Sequence, residues 1–127
     1  MDIIRKNYPD IPIIGPHHQA VRVGNLLFLA GTTAKMTDAE YGNMAEQTEA
    51  VLEIIKRILE AEGGTLDNVV KITNFVTDIS KEATETSRDV RIRYFGSNLP
   101  ASTRVKVSEL VEPHLLIEIE AIAVLPE

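Results

Sequence analysis

LLIEIEAIAV, residues 115–124, decides the fold. Side chains alternate across a strand, so Ile117, Ile119, Ala121 and Ala123 share one face while Glu118 and Glu120 share the other. The preceding stretch STRVKVSEL, residues 102–110, alternates in the same way, with Thr103, Val105 and Val107 opposite Ser102, Arg104 and Lys106. Val111-Glu112-Pro113-His114 reads as a turn between them, and the two strands are expected to pair as an antiparallel hairpin. A turn centred near Glu112 would bring Arg104 close to Glu120 and Lys106 close to Glu118, within reach of cross-strand ion pairs. Each strand then has an apolar side for the helices and a charged side facing away. That charged side has two accounts. It is a solvated face whose exposed ion pairs contribute at most about 1 kcal/mol each. Alternatively, because Leu116, Ile122 and Val124 flank it, it is covered by another subunit and the charges lie in an interface cleft.

Upstream, VVKITNFVT (Val69 to Thr77) is β-branched and long enough for a central strand, with Val70, Ile72, Asn74 and Val76 on one face. Ala20 to Val23 and Leu26 to Ala30 are short β-prone runs joined by Gly24-Asn25, a pair that tolerates a tight hairpin turn. Between these lies the most periodic segment. Asn43 and Glu46 form a capping-box pattern, Met44, Thr48, Val51, Leu52, Ile55, Ile58 and Leu59 recur at helical spacing, and Gly63-Gly64 ends the helix. A second, weaker helix is expected from a cap at Asp78 or Ser80 to Gly96, with Ala83, Val90 and Tyr94 on one side. The order ββ, α, β, α, ββ lacks steady βαβ alternation. The expected class is therefore α+β, a mixed β-sheet with two helices packed on one face.

The chain has 127 residues, about one domain's worth, and residues 1–127 read as a single domain without repeats or linkers. Thirteen Lys and Arg against nineteen Asp and Glu give a formal charge of −6, which disfavours phosphate backbones and anionic membranes. Any bound anion needs a local cluster of cations. Aromatics are 5% and Trp is absent, leaving little to stack on bases. No cysteine means no disulfide, thiolate nucleophile or Cys-ligated zinc. The amino terminus lacks the pattern of a signal peptide, and no stretch reaches the roughly 18 apolar residues of a membrane span, so a soluble cytoplasmic protein is expected.

The segments GPHHQAVRVGNLLFLAG (15–31), EQTEAVLEIIKRILEAEG (46–63), LDNVVKITNFVTDI (66–79), YFG (94–96), PASTRVKV (100–107) and IEIEAIAV (117–124) together resemble the reactive-intermediate imine deaminases, the RidA or YjgF family. The resemblance implies a chorismate-mutase-like fold, a homotrimer whose sheets form an inner barrel, and clefts between subunits. It also implies cofactor-free hydrolysis of imines or enamines to a keto acid and ammonia, with a small anionic metabolite as the ligand. In the imine-hydrolysing branch an arginine after Pro-Ala grips the substrate carboxylate; this chain has Ser102 there and Arg104 two positions on. Period two keeps Arg104 on the same side, where a displaced guanidinium could do the same work. Glu118 matches the family glutamate that handles water and protons. Gly31, whose backbone lines the family pocket, is retained, whereas the neighbouring serine is Ala30 and the tyrosine after Gly-Pro is His17. A helical asparagine of the family falls at Arg88 counted back from Tyr94-Phe95, or at Thr86 counted forward from Asp78. Two cations with one carboxylate suit a larger or doubly anionic acid.

The remaining candidates carry less. His17-His18 are adjacent on an extended segment and point apart, with no acid nearby to complete a metal site, so no metal is expected. His17 is a polar pocket residue or a plain turn residue. His114 caps or decorates the last turn. Arg91 and Arg93 near a helix carboxyl end are explained by the dipole alone. Some family members carry a ribonuclease label, against which stand the acidic charge, the few aromatics and the lack of a His pair. Two functions stay open: a hydrolytic deaminase, or a non-catalytic metabolite-binding or regulatory trimer in which Ser102 marks lost chemistry.

Overall fold

A computed structural model describes residues 1–127. The strands are β1 (Ile3–Lys6), β2 (Ala20–Val23), β3 (Leu26–Thr32), β4 (Val69–Val76), β5 (Ala101–Lys106) and β6 (Ile117–Val124). The helices are α1 (Met44–Ala61) and α2 (Lys81–Phe95), with a short 3-10 turn at Leu66–Asn68. The six strands form one sheet in the order β1-β2-β3-β6-β4-β5. All neighbours are antiparallel except β4 and β5, which run parallel.

Helix α1 starts where the sequence marks it. Asn43 Oδ1 accepts from the Glu46 amide at 2.9 Å, and Glu46 returns a carboxylate to the Asn43 amide at 3.0 Å. Its apolar stripe, Val51, Leu52, Ile55, Ile58 and Leu59, is almost wholly removed from water. It packs with Leu27, Leu29, Ile72, Ile117, Ile119 and Ala121 in one core. Helix α2 starts at Ser80, whose hydroxyl accepts from the Ala83 amide, and buries Ala83, Val90 and Phe95.

The expected hairpin of the last two strands does not form. β6 inserts between β3 and β4, and β5 lies at the sheet edge beside β4. Two physical facts account for this. β4 and β5 are joined through α2, the helical crossover that a parallel pair requires. β6, with Ile and Ala along one face, belongs at the sheet centre, whereas Ser, Thr, Arg and Lys along β5 tolerate an edge. The expected cross-strand ion pairs are lost with the hairpin: Glu120 lies opposite Thr73, Glu118 opposite Phe75, and Arg104 beside Asn74.

The faces of β5 are also the reverse of those expected. Buried Asn74 donates to Ser102 Oγ at 3.0 Å, and Arg104 donates to Thr84 Oγ1 of α2, so Ser102 and Arg104 face the helix side. Thr103 is on the outer face, where its hydroxyl accepts from Lys71 Nζ. An edge strand exposed along its whole length carries no burial signal to fix its phase. In β4 the register shifts between Val69 and Lys71. This bulge puts Val69 in the core and leaves Val70 exposed, contrary to the expected Val70-to-Val76 face. Leu116 packs against the core rather than flanking the outer face. β1 carried no recognised signal; it pairs with β2 as an added edge.

The outer face of the sheet presents Ile3, Leu26, Phe28 and Val124, each at least one-third exposed. No helix is long and apolar enough to cross a membrane.

Candidate functional site

The chemistry-bearing residues fall into two places. The first is a cavity of about 230 Å³ between the Ile11–His17 segment, the end of β3 and β6, lined by Ile14, His17, Ala30, Gly31, Lys35 and Glu118. Its geometry begins with a break in the sheet. The β3–β6 register shifts between Leu29 and Thr32, which loosens the ladder at Ala30-Gly31 and lets a side chain from β6 approach the backbone. Glu118 takes that space. A Cβ at Gly31 would collide with Glu118 Oε2 and stand 2.9 Å from its carboxyl carbon, so only glycine accommodates the carboxyl there.

The cavity wall is held by Gln19, which sequence reasoning missed. Its side chain accepts from the Tyr8 amide at 2.7 Å and donates to the carbonyls of Ile11 and Pro12, while its own carbonyl accepts from the Ala30 amide. A lone glutamine in an extended segment carries no pattern that announces such a role. Gln47 does similar work on the other side. Fully buried, it donates to the carbonyls of Glu40, Gly42 and His114 and accepts from the Leu116 amide, which seats the chain entering β6.

Glu118 is half-buried, and no cation forms an ion pair with it. Burial pushes its carboxyl above the ordinary range, the neighbouring Glu120 adds to that, and His17 opposes it. A carboxyl raised in this way is a stronger base than an ordinary one, and it keeps a larger protonated fraction with which to act as an acid. Glu120 lies two residues along the same face and is exposed.

The second place is the corner between α2 and β5. Thr84, Arg88 and Arg91 lie four and three residues apart, one stripe of α2. Arg104 reaches Thr84 from β5, and Arg91 Nη1 lies 3.4 Å from Ser102 Oγ. Burial lowers the proton affinity of Arg91, and the charges of Arg104 and Arg88 lower it further. Arg91 therefore belongs with the candidate residues, a correction to its assignment to the helix dipole. Arg93 instead pairs with Glu49 at 3.0 Å.

Within one chain the two places do not meet. Glu118, Gly31 and His17 surround the cavity, Glu120 lies beside it on the outer face, and Ser102, Arg88 and Arg104 lie across β4 on the helix side. His114 is in neither: its Nε2 lies 2.8 Å from Glu40 Oε2 and its ring stacks on Tyr41 with centroids 4.1 Å apart. No three His, Asp or Glu side chains are grouped to hold a metal.

Residues 9–125 match the family model described as Endoribonuclease L-PSP. A RutC family protein of Pyrococcus horikoshii is 43% identical over 113 residues, covering 87% of each chain. A 2-iminobutanoate/2-iminopropanoate deaminase of Dermatophagoides farinae is 30% identical over 115 residues, covering 88% of each. Among solved structures, RidA from an Antarctic Psychrobacter superposes with a TM-score of 0.80 at 29% identity, covering 90% of this chain and 92% of the other. With the bulged β3, the glutamate of β6 and the two helices on one sheet face, these matches establish that the chain belongs to the endoribonuclease L-PSP family, the group also called YjgF, RutC and RidA.

Proposed function

We propose that the protein hydrolyses a small anionic imine or enamine to a keto acid and ammonia, in clefts formed between the subunits of a homotrimer. The observation that carries this is the Glu118 carboxyl, raised by burial and seated against Gly31 at the mouth of a cavity with His17 beside it. The overall change is C=N plus water to C=O plus ammonia. Glu118 takes a proton from the attacking water and returns it to the departing nitrogen. The arginines hold the substrate carboxylate, which fixes the imine carbon near that water.

The separation of the two places supports an assembly. Glu118 projects from one sheet face and the guanidinium groups from the other, so a cleft containing both takes them from two copies of the chain. The exposed outer face with Leu26, Phe28 and Val124 is the apolar surface such a copy would cover. Light scattering should give three times the 14.1 kDa chain mass. A monomer at micromolar concentration removes the shared cleft.

The test of chemistry couples the protein to an amino-acid oxidase and follows keto-acid release from the imines it generates. Acceleration by wild type, lost in Glu118→Gln, supports the deaminase. No acceleration across a panel of imines, with small carboxylates still bound in calorimetry, favours a binding or regulatory trimer. Ser102 is the residue behind that second reading, since its hydroxyl engages Asn74 and Arg91 and brings no charge of its own.

A further inference from the structure

Three titratable side chains line the cavity: His17, Lys35 and Glu118. Much of the remaining wall is apolar, with Ile11, Ile14, Ile54, Ile58 and Val111. Lys35 is engaged, its ammonium 3.1 Å from Glu112 Oε1. His17 and Glu118 are in no ion pair. They act on each other across the cavity, since burial raises the Glu118 carboxyl, Glu120 adds to the rise, and His17 opposes it.

The chain places this histidine and not its neighbour. Pro16 fixes its own φ, and the His17 amide donates to the Gly15 carbonyl at 2.8 Å, closing a three-residue γ-turn. The turn folds the ring back over Gly15, where an added Cβ would stand 2.8 Å from His17 Cε1 and 2.9 Å from Nδ1. Glycines thus seat both groups, Gly15 the imidazole and Gly31 the carboxyl. His18, one residue on, is not on the cavity wall.

We propose that His17 is the second proton-handling group of the cavity, donating to the imine nitrogen while Glu118 takes a proton from the attacking water. The assignment rests on the deaminase reading above and adds an acid to it. A lone carboxylate gives the addition of water a base but no acid, and the imidazolium supplies one. In the addition the C–O bond forms and the C=N π bond breaks toward nitrogen; one water proton goes to Glu118, and the nitrogen takes one from His17. In the collapse the C–N bond breaks toward nitrogen, which receives the proton held by Glu118, and the neutral imidazole takes the hydroxyl proton as C=O forms. Ammonia leaves, and both side chains end as they began. The charged groups on the elements around the imidazole are Glu118 and, two residues along the same face, Glu120 of β6, with Lys35 of the loop after β3; the lining residues of α1, Ile54 and Ile58, carry no charge. Histidine gives up its charge near neutral pH, so the relay should fail on the basic side.

Keto-acid release from alanine-derived and leucine-derived imines, with the oxidase in excess at every pH, tests the assignment. The wild-type profile should be a bell, its acid limb set by Glu118 and its basic limb by His17. His17→Gln should lower kcat about 10²-fold, move KM by no more than about twofold and remove the basic limb. Added imidazole should restore part of the rate to His17→Ala, a rescue that a structural role would not give. His18→Gln should keep the wild-type profile. Carbon NMR of the Glu118 carboxyl reads the pairing without turnover: its titration should move to higher pH in His17→Gln, because the opposing positive charge is gone. His17 is exposed, so its variants should fold. An active wild type whose kcat and basic limb survive His17→Gln, a change confined to KM, or a rate that imidazole does not restore overturns the role of His17 and leaves the deaminase standing. A Glu118 titration unmoved by His17→Gln refutes the pairing whatever the rates. A wild type inert on both imines refutes the deaminase and the relay with it.

Discussion

The Glu118 cavity and the basic corner are built on opposite parts of the sheet. Glu118 stands on the central strand β6, whose alternate residues Ile117, Ile119 and Ala121 are buried in the core, and it leans on a glycine that admits no Cβ. Arg104 and Ser102 stand on β5, an edge strand with every residue exposed. The carboxyl proposed to handle protons thus rises from a strand packed into the core, and the groups proposed to hold the anion stand on an exposed edge whose side chains can change without disturbing the core. Chemistry needs a fixed carboxyl, whereas the shape and charge of the anion can vary from one substrate to another.

The largest effect should come from Gly31→Ala. The added methyl collides with the Glu118 carboxyl, and either the side chain leaves its place or the β3 bulge moves. Turnover should fall on the order of 10²-fold or more, because the proton-handling group is displaced from the reacting atoms. The clash is with the end of a flexible, half-buried side chain that can swing aside, so stability should change by no more than about 0.5 kcal/mol. An unchanged rate in the oxidase-coupled assay would break the contrast at the Glu118 end.

Glu118→Gln is next, because it keeps the shape and removes the base. Turnover should fall about 10²-fold with little change in carboxylate affinity. For wild type, the acid limb of kcat/KM should lie above the ordinary carboxylate range, since burial and Glu120 raise this carboxyl. The same shift sets the sign of a stability effect. The folded chain keeps this proton to a higher pH than the unfolded chain, so unfolding free energy falls as pH rises from the ordinary glutamate range through the raised one. Glu118→Gln should flatten that slope. Glu62 runs the other way: burial pushes it up, but Lys6, Tyr8 and Arg22 outweigh burial and hold it below the ordinary range. Its contribution is full above the unfolded value and is lost as pH falls through the folded one. Urea midpoints across the acid range, for wild type, Glu118→Gln and Glu62→Gln, separate the two slopes.

How far the sequence could be read follows the same division. The capping box at Asn43, the stripe of α1 and the alternation of β6 are local patterns that burial then reinforces, and each stands in the structure where it is expected. Glu118 and Gly31 were found through resemblance to a family, because nothing in a period-two pattern reveals a carboxyl leaning on a glycine across two strands. The edge defeats local inference. Neither the pairing partner of β5 nor its facing is written in its alternation, since both are set by the crossover through α2 and by Asn74, distant in sequence. For that reason the alternation places Arg104 beside Glu120 and leaves Arg91 to the helix dipole.

Asn74→Ala tests the tie between centre and edge. Its amide donates to Ser102 Oγ and to the Thr103 carbonyl, both at 3.0 Å, and so links β4 to β5 beyond the ladder bonds. Its loss leaves those acceptors at an exposed edge that water can reach, and it also removes the buried unpartnered Oδ1. The net cost should be about 1 kcal/mol. Carboxylate binding at the corner should weaken while keto-acid turnover per bound substrate stays near wild type. A loss of several kcal/mol in urea unfolding would mean that the edge is as tightly built as the centre.

The smallest effect on stability belongs to Arg104→Gln, and its smallness is the sharpest check on the contrast. Arg104 is exposed, and its bond to Thr84 is a side-chain contact at the surface of α2. Removing it deletes one charge from a group of three that repel one another, a gain that offsets the lost hydrogen bond. Stability should therefore change by no more than about 0.5 kcal/mol in either direction. Affinity for small carboxylates should nevertheless fall about tenfold, because a charge-assisted contact to the anion is lost. The two numbers come from one variant, by urea unfolding and by calorimetry. If stability drops in step with affinity, Arg104 is a structural tie between β5 and α2, and the edge is not free to vary with the ligand. If affinity alone drops, the corner carries recognition without carrying the fold.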